Sequence, residues 1–529
     1  MHGPPAGNAA AGTTDIPSAI SMFRQQLFTR NVPAFRSAAQ RLRKWQLETD
    51  PHYPTYHFTA PEGWNNDPNG LVLDTATGLY HRFYQFLPVD SQGKKLPTAW
   101  GHTVSSDLVH WEDWPIAMFA DTAWDSNGVY SGNIIIGKDG IPVAVYTGNV
   151  NGHAKTCGVC ARSFDGFITW NKTDCMDQSR RPNPASPVNW DTYLWKDGAT
   201  YNALIGGCTS PQSHEGQLGT AYLWQSADMH NWTLVGPIWS GGPGSFWELP
   251  YLLPFDAHGR AAAYEVATKW ALLFGHGNAY FVGSYNKSSH QFTPSFTSAQ
   301  AAPAPQDSDP GSYYSFNAAL FDHAGPGGSL RRLMYGWVTG GTAQPYWSAQ
   351  AHSLLREVTL AEDGMHIIQT VAPEIEKLRG VRLYRSTAPL LIAPGSAGHL
   401  PRSAFGSALE IQATFARPLT DNVKAFGVTV RGSSEGSERI SVYPVASEVA
   451  SGGLSGAEKR SGIVHNAKGN VTLRVFVDRS ICEVYCGGAA ITTRMFPREP
   501  LNATAVDVFA VGGAVQLLLL EVWSMGSMW

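Results

Sequence analysis

An all-β chain, a five-bladed propeller followed by a β-sandwich, is what three observations in the sequence predict. Glycine and proline are plentiful (54 and 34 of 529 residues) and aromatic residues make up 12 %, a composition suited to many short strands joined by turns. A cluster of Ser, Asp or Asn and an aromatic residue returns four times between residues 106 and 292. Past residue 407 the cluster is gone, and strand-like segments alternate apolar and polar residues with period two. A length of 529 residues exceeds the usual single domain, so two domains are expected.

In chain order, residues 1–54 read as a leader, partly disordered. From Ile16 to Leu47 it carries Arg24, Arg30, Arg36, Arg41, Arg43 and Lys44 and no acid, with Phe23, Leu27 and Phe28 at helical spacing. A short basic amphipathic helix packed on the first domain is expected, in preference to an organelle-targeting segment. Residues 55–370 carry the repeat: Ser106-Asp107 with Trp111, Ser163 and Asp165 with Trp170, Ser226 and Asp228 with Trp232, and Ser284 and Asn286 with Phe292. The Asp or Asn positions lie 58, 63 and 58 residues apart. That period fits a four-stranded propeller blade, each copy marking an outer hairpin whose turn Ser and Asp close. Four copies with their flanking strands imply about five blades. Residues 371–404 read as a linker with a short helix beginning at Pro373. Residues 405–529 read as the sandwich, with strands at Ala408 to Phe415, Val471 to Asp478 and Ile481 to Tyr485, one face buried and one wet.

Charge excludes some partners. Lys plus Arg (38) nearly balance Asp plus Glu (42), so neither nucleic acid nor an anionic membrane is expected. The longest apolar run, near Ala514 to Leu520, is far short of the roughly 20 residues that span a bilayer, and a soluble protein is expected. Cys157, Cys160, Cys175, Cys208, Cys482 and Cys486 are too few for a disulfide scaffold. Cys157 and Cys160 have no second ligand pair at zinc spacing, so no metal and no cofactor is expected. Cys482 and Cys486 lie too far apart on one strand to bridge. Sequons at Asn171, Asn231, Asn286, Asn470 and Asn502 point to a secretory route, although no apolar signal segment is visible in residues 1 to 20. Sparsely charged, aromatic-rich surfaces suit sugar rings, although most of the 18 tryptophans read as core.

Chemistry concentrates in Gly63-Trp64-Asn65-Asn66-Asp67-Pro68-Asn69-Gly70, which packs a carboxylate, three amides and an indole into one turn before the apolar Leu71-Val72-Leu73. In a propeller, polar residues at the ends of the inner strands converge at one channel mouth, which makes Asp67 a candidate. Glu248, flanked by Trp247, Leu249 and Pro250, must be paired or have its pKa raised, as a general acid requires. Asp191 is a third candidate. Asp197, in Lys196-Asp197-Gly198, reads as an ordinary exposed turn.

The Trp64 to Gly70 segment resembles the Trp-Met-Asn-Asp-Pro-Asn-Gly signature of glycoside hydrolase family 32, the invertases, fructanases and plant fructosyltransferases. Phe83-Tyr84-Gln85-Phe86, Trp100-Gly101-His102, Ser106 to Trp111, Asn127 to Gly132, Tyr146-Thr147-Gly148, Tyr335-Gly336-Trp337 and Val477 to Val484 resemble further family segments in the right order, covering about residues 55 to 529. The resemblance implies a five-bladed propeller and a β-sandwich acting on β-fructofuranosides with retention. Asp67 is implied as nucleophile, Glu248 as acid/base and Asp191 as transition-state stabiliser, with Trp64, Asn66, Gln85, Trp100, Ser131 and Trp190 around the fructose pocket. The chain departs from the pattern at Trp190-Asp191-Thr192, where the family has Arg-Asp-Pro, at Leu249 for Cys, and at Asn65 for Met. Loss of that Arg removes a charge-assisted partner unless Arg180 or Arg181 replaces it. The resulting expectation is a secreted or vacuolar fructosidase acting on sucrose or fructans. The alternatives are a fructosyltransferase and a catalytically impaired fructan-binding relative.

Overall fold

The computed structural model describes residues 17–151, 156–176, 190–208, 219–239, 246–275, 278–295, 305–321, 329–341, 350–396, 398, 400–418, 422–462 and 469–529. The leader forms two helices, Ser18–Gln25 and Val32–Thr49. Asn31 caps the second by accepting from Ala34 N at 3.0 Å, and Pro33 sits in its first turn, where no amide donor is missed. Ile20, Phe23, Leu27, Phe35 and Leu42 are buried against the first blade. The leader lacks acids, and its basic residues find them there: Arg24 pairs with Glu62, Arg36 with Glu112, and the buried Arg43 grips Asp113 through both carboxylate oxygens at 2.6 and 2.8 Å. Arg24 thereby ties the leader to the residue just ahead of the Gly63 turn.

Five antiparallel sheets follow, spanning residues 64–118, 128–176, 190–237, 251–307 and 313–371. Each is built on four strands joined in chain order, with a short extra strand in the fourth and fifth. The first strand of the first blade packs beside the first strands of the second and fifth blades, which closes the ring. All four repeat copies fall on the hairpin between a blade's third and fourth strands. Asp107, Asp165, Asp228 and Asn286 each accept turn amides there, and Trp111, Trp232 and Phe292 are buried. In the first copy the serine on the carboxylate is Ser105, not Ser106, two residues before the Asp as in the second and third. The fifth blade closes the same hairpin with Asp363, which has neither the serine nor the aromatic residue that made the others visible.

After a 3-10 helix at Pro373–Leu378, two sheets form the second domain, one of seven strands and one of five. Residues 379–392, read from the sequence as linker, supply two strands that pair with Val515–Met525. Their alternation is weak because both strands lie at the edge of the sheet. The expectation of a wet outer face fails for Ile481–Cys486 and Ala489–Arg494, buried along their whole length. Their polar alternates point at the propeller. Asp478 accepts the backbone amides of Thr55, Tyr56 and His57 at 2.7, 2.8 and 2.8 Å. His57 bridges Asp478 (2.9 Å) and Glu483 (3.1 Å), and Arg356 joins Glu483 to Asp309, both at 3.0 Å. Every one of these side chains is buried. Cys482 and Cys486 are free thiols, and Cys160 is disulfide-bonded.

Candidate active site

The candidate carboxylates belong to one kind of place. The first strand of a blade pairs regularly with the second except near the channel mouth, where the ladder skips residues. The skips fall between Asn65 and Pro68, between Pro68 and Gly70, between Val129 and Gly132, across Asp191, and between Tyr314 and Phe316. The bulged residues are therefore Asn66, Asp67 and Asn69, Tyr130 and Ser131, Asp191, and Ser315. A bulge frees a residue from the pleat and re-aims its side chain. Asp191 and Ser315 have φ of 55° and 48°, and Leu249, just ahead of the fourth blade's first strand, has 48°. Non-glycine residues rarely hold that conformation, at a cost of about 1 to 3 kcal/mol each.

The signature turn is fixed by its own amides. Gly63 has φ of 78°, and a Cβ there would stand 2.2 Å from the Leu87 carbonyl oxygen, so only glycine fits. Asn65 accepts from Ala60 N at 2.9 Å, Asn66 donates to Gln85 at 3.0 Å, and His352 Nε2 lies 2.6 Å from the Asn66 carbonyl oxygen. Ser131 Oγ donates to Asp67 Oδ2 at 2.5 Å, and Gln85 Nε2 reaches Ser131 at 2.5 Å and Asp67 at 3.4 Å. Burial pushes the Asp67 carboxyl up to about 6, against the Ser131 hydrogen bond and with help from the nearby charge of Glu248.

Glu248 is aimed by its neighbours. Trp247 and Leu249 are buried, the Trp247 ring stacked on Phe274 at 4.5 Å, and the Glu248 carbonyl accepts from Gly275 N at 2.7 Å. The side chain between them turns to the mouth, where Tyr314 donates to Oε2 at 2.6 Å. The partner that Glu248 finds is this phenol rather than a cation. The Leu249 amide donates to Asp191 Oδ2 at 3.3 Å, and the Asp191 amide donates to Thr147 Oγ1 at 2.9 Å. Burial raises the Asp191 carboxyl well above the ordinary range, and the charges of Glu248 and Asp67 add to it. Burial and the same three carboxylates raise the Tyr314 hydroxyl, which therefore stays protonated and donates. Among the described residues no lysine, arginine or histidine forms an ion pair with Asp67, Asp191 or Glu248. Burial first and the neighbouring carboxylates second thus favour the protonated forms of Asp67 and Asp191.

The six side chains expected around a pocket divide. Asn66, Gln85 and Ser131 join Asp67 through hydrogen bonds, and Trp64 is half-buried at the strand's start. Trp100 is 0 % exposed and donates to the Tyr130 carbonyl at 2.8 Å. It supports the bulge that carries Ser131. Trp190 is buried too, stacked on Tyr130 at 5.6 Å with Phe246 edge-on at 6.4 Å. Where the family pattern has a cation, this chain has an aromatic stack. Arg180 and Arg181 lie outside the described residues. Sequence reading missed Tyr314, Tyr130 and Thr147. Tyr130 and Thr147 stand inside recognised segments without a role, and Tyr314 falls in the blade where the repeat fades.

Residues 57–371 match the model for the glycosyl hydrolases family 32 N-terminal domain, and residues 374–524 the model for the family 32 C-terminal domain. A levanase of Bacillus subtilis is 28 % identical over 90 % of this chain and 71 % of its own length. An insoluble-isoenzyme beta-fructofuranosidase of Arabidopsis thaliana is 26 % identical over 90 % of both chains. The crystal structure of fructan 1-exohydrolase IIa from Cichorium intybus superposes with a TM-score of 0.76 at 24 % identity, over 90 % of this chain and 98 % of that one.

Proposed function

Because the chain belongs to glycosyl hydrolase family 32, we propose that it cleaves β-fructofuranosidic bonds with Asp67 as nucleophile, Glu248 as acid/base and Asp191 as stabiliser. The observation that carries this reading is three carboxylates from three blades, electrostatically coupled at one mouth with no cation paired to them among the described residues. Asp67, ionised above about 6, attacks the anomeric carbon. Glu248 gives its proton to the glycosidic oxygen, the leaving group departs, and a fructosyl ester on Asp67 remains. Glu248, now a carboxylate, takes a proton from water as the water oxygen attacks the same carbon and frees Asp67. Asp191 accepts hydrogen bonds from fructose hydroxyls and opposes the positive charge of the oxocarbenium-like transition state. Tyr314 holds Glu248 with a neutral donor.

The relatives' names supply the substrate class, β-fructofuranosides and fructans such as levan. The described residues of the site favour neither. All five sequon asparagines are exposed, and with the Cys160 disulfide they support a place in the secretory route, outside the cell or in a vacuole. The test is incubation with sucrose, inulin and levan, with proton NMR of the first-formed fructose. Release of the β-furanose anomer is expected. An α anomer sinks the double displacement, trisaccharides from concentrated sucrose point to transfer, and no release from any of the three leaves only binding.

A further inference from the structure

Strand direction separates two faces of the propeller. The first strand of each blade starts at the catalytic mouth, so the turn after it, and the hairpin after the antiparallel third strand, emerge on the opposite face. On that face, between the second and third blades, lies a cleft of about 410 Å³. Its walls are the turn at Lys138 and Asp139, the hairpin of Arg162 and Phe164, and the hairpin of Met229 and His230, with Tyr201 at its base.

Three features of the lining agree on one kind of ligand. The Phe164 ring is 64 % exposed although its hairpin neighbour Phe167 is buried, and an aromatic face left in water beside a cleft suits the C–H face of a sugar ring. The ions cancel: Arg162 is paired with Asp139 at 2.9 Å, and the Asp228 carboxylate is taken up by the amides of its own turn. A neutral ligand therefore fits better than an anion, and the Arg162–Asp139 pair offers planar donors and acceptors for neighbouring hydroxyls. Tyr201 is 1 % exposed, and its hydroxyl oxygen accepts from Lys138 N at 2.8 Å. Its own O–H hydrogen has no acceptor among the described residues, and a buried donor without an acceptor costs free energy until a ligand supplies one. The volume is that of a small-ligand pocket rather than of a protein interface.

We propose that this cleft is an accessory binding site for a fructan chain, on the face opposite the catalytic mouth. The choice of fructan rests on the fructosidase reading. Such a site holds a long substrate near the enzyme and raises its effective concentration at the mouth, with no effect on a disaccharide.

The test compares wild type, Phe164→Ala and Phe164→Trp, all stripped of N-glycans because Asn231 begins a sequon on one of the hairpins. Mobility is measured in native gels containing levan, inulin or dextran, and kcat/KM on sucrose and on long-chain levan and inulin. Wild type and Phe164→Trp should be retarded by levan or inulin and not by dextran. Phe164→Ala should lose the retardation and at least threefold in kcat/KM on the polymer, with sucrose unchanged. Equal behaviour of Phe164→Ala and wild type on every polymer overturns the proposal, as does a wild type that neither fructan retards. Failure of wild type to cleave any fructoside sinks the fructosidase reading instead, and the gel retardation still decides the cleft.

Discussion

Two groups of three carboxylates, one at the channel mouth and one at the seam with the sandwich, are built in opposite ways. At the seam with the sandwich, Asp309, Asp478 and Glu483 are buried with His57 and Arg356 among them, and nearly every oxygen has a donor. At the mouth, Asp67, Asp191 and Glu248 meet with hydroxyls and amides but without an ion-paired cation among the described residues. The seam satisfies its charges, and the mouth leaves its own in conflict. Satisfied charge holds domains in one arrangement, whereas unsatisfied charge keeps proton affinities displaced and available for proton transfer.

The sharpest way to break this comparison is to remove one carboxylate at the mouth. Asp67→Asn should lower kcat/KM on sucrose by a factor on the order of 10⁴ or more, while the midpoint of thermal unfolding stays level or rises. A large fall in stability instead would place Asp67 among the seam-like groups. The converse change, Arg356→Met, leaves Asp309 and Glu483 buried without their cation. It should cost about 3 to 5 kcal/mol in urea unfolding and leave kcat per folded molecule intact. Ser131→Ala removes the hydrogen bond that favours ionised Asp67, so the acid limb of kcat/KM should move upward from about 6. A limb that stays in place would assign it to another group.

The smallest effect separates the clusters by pH. Asp67 is raised above its unfolded value of about 3.9, so its contribution to stability is complete below that value and lost as pH rises through about 6. Burial alone would lower His57, but its bonds to Asp478 and Glu483 prevail and its pKa is raised. Its contribution is complete below about 6.5 and lost at higher pH, as the imidazole loses its proton. Thermal midpoints should therefore decline in two windows. Asp67→Asn should flatten the lower one and His57→Gln the upper one. Loss of both windows in a single variant would mean that the clusters titrate as one.

What could be read from sequence follows from how each feature is encoded. The blades were legible because Asp107, Asp165, Asp228 and Asn286 do local work, each closing its own turn. Asp67 was legible because a turn that needs Gly63, Pro68 and three asparagines leaves a visible composition. Bulges leave none: nothing in Trp190-Asp191-Thr192 announces a residue at positive φ, and nothing in Tyr313-Tyr314-Ser315 says that the middle ring reaches Glu248. The burial of Trp100 was equally hidden, since only the arrangement of neighbouring blades decides whether an indole faces a pocket or supports its floor. The wet face expected of the sandwich failed for the same reason, its partner being a separate domain.

The seam also dictates an order of events during synthesis. Thr55, Tyr56 and His57 rest on Asp478, which lies 423 residues after Thr55, and the Arg43 guanidinium lies 3.2 Å from the ring centroid of Trp529. At the pace of translation the segment that introduces the Gly63–Gly70 turn waits roughly 20 to 80 s for its anchor. Until Asp478 and Trp529 have been made, the buried backbone donors at residues 55–57 and the Arg43 face have no final cover. The first blade is thus made long before the strands that cover it, and a chain lacking Val515–Met525 would carry Asp67, Asp191 and Glu248 on an unsealed scaffold.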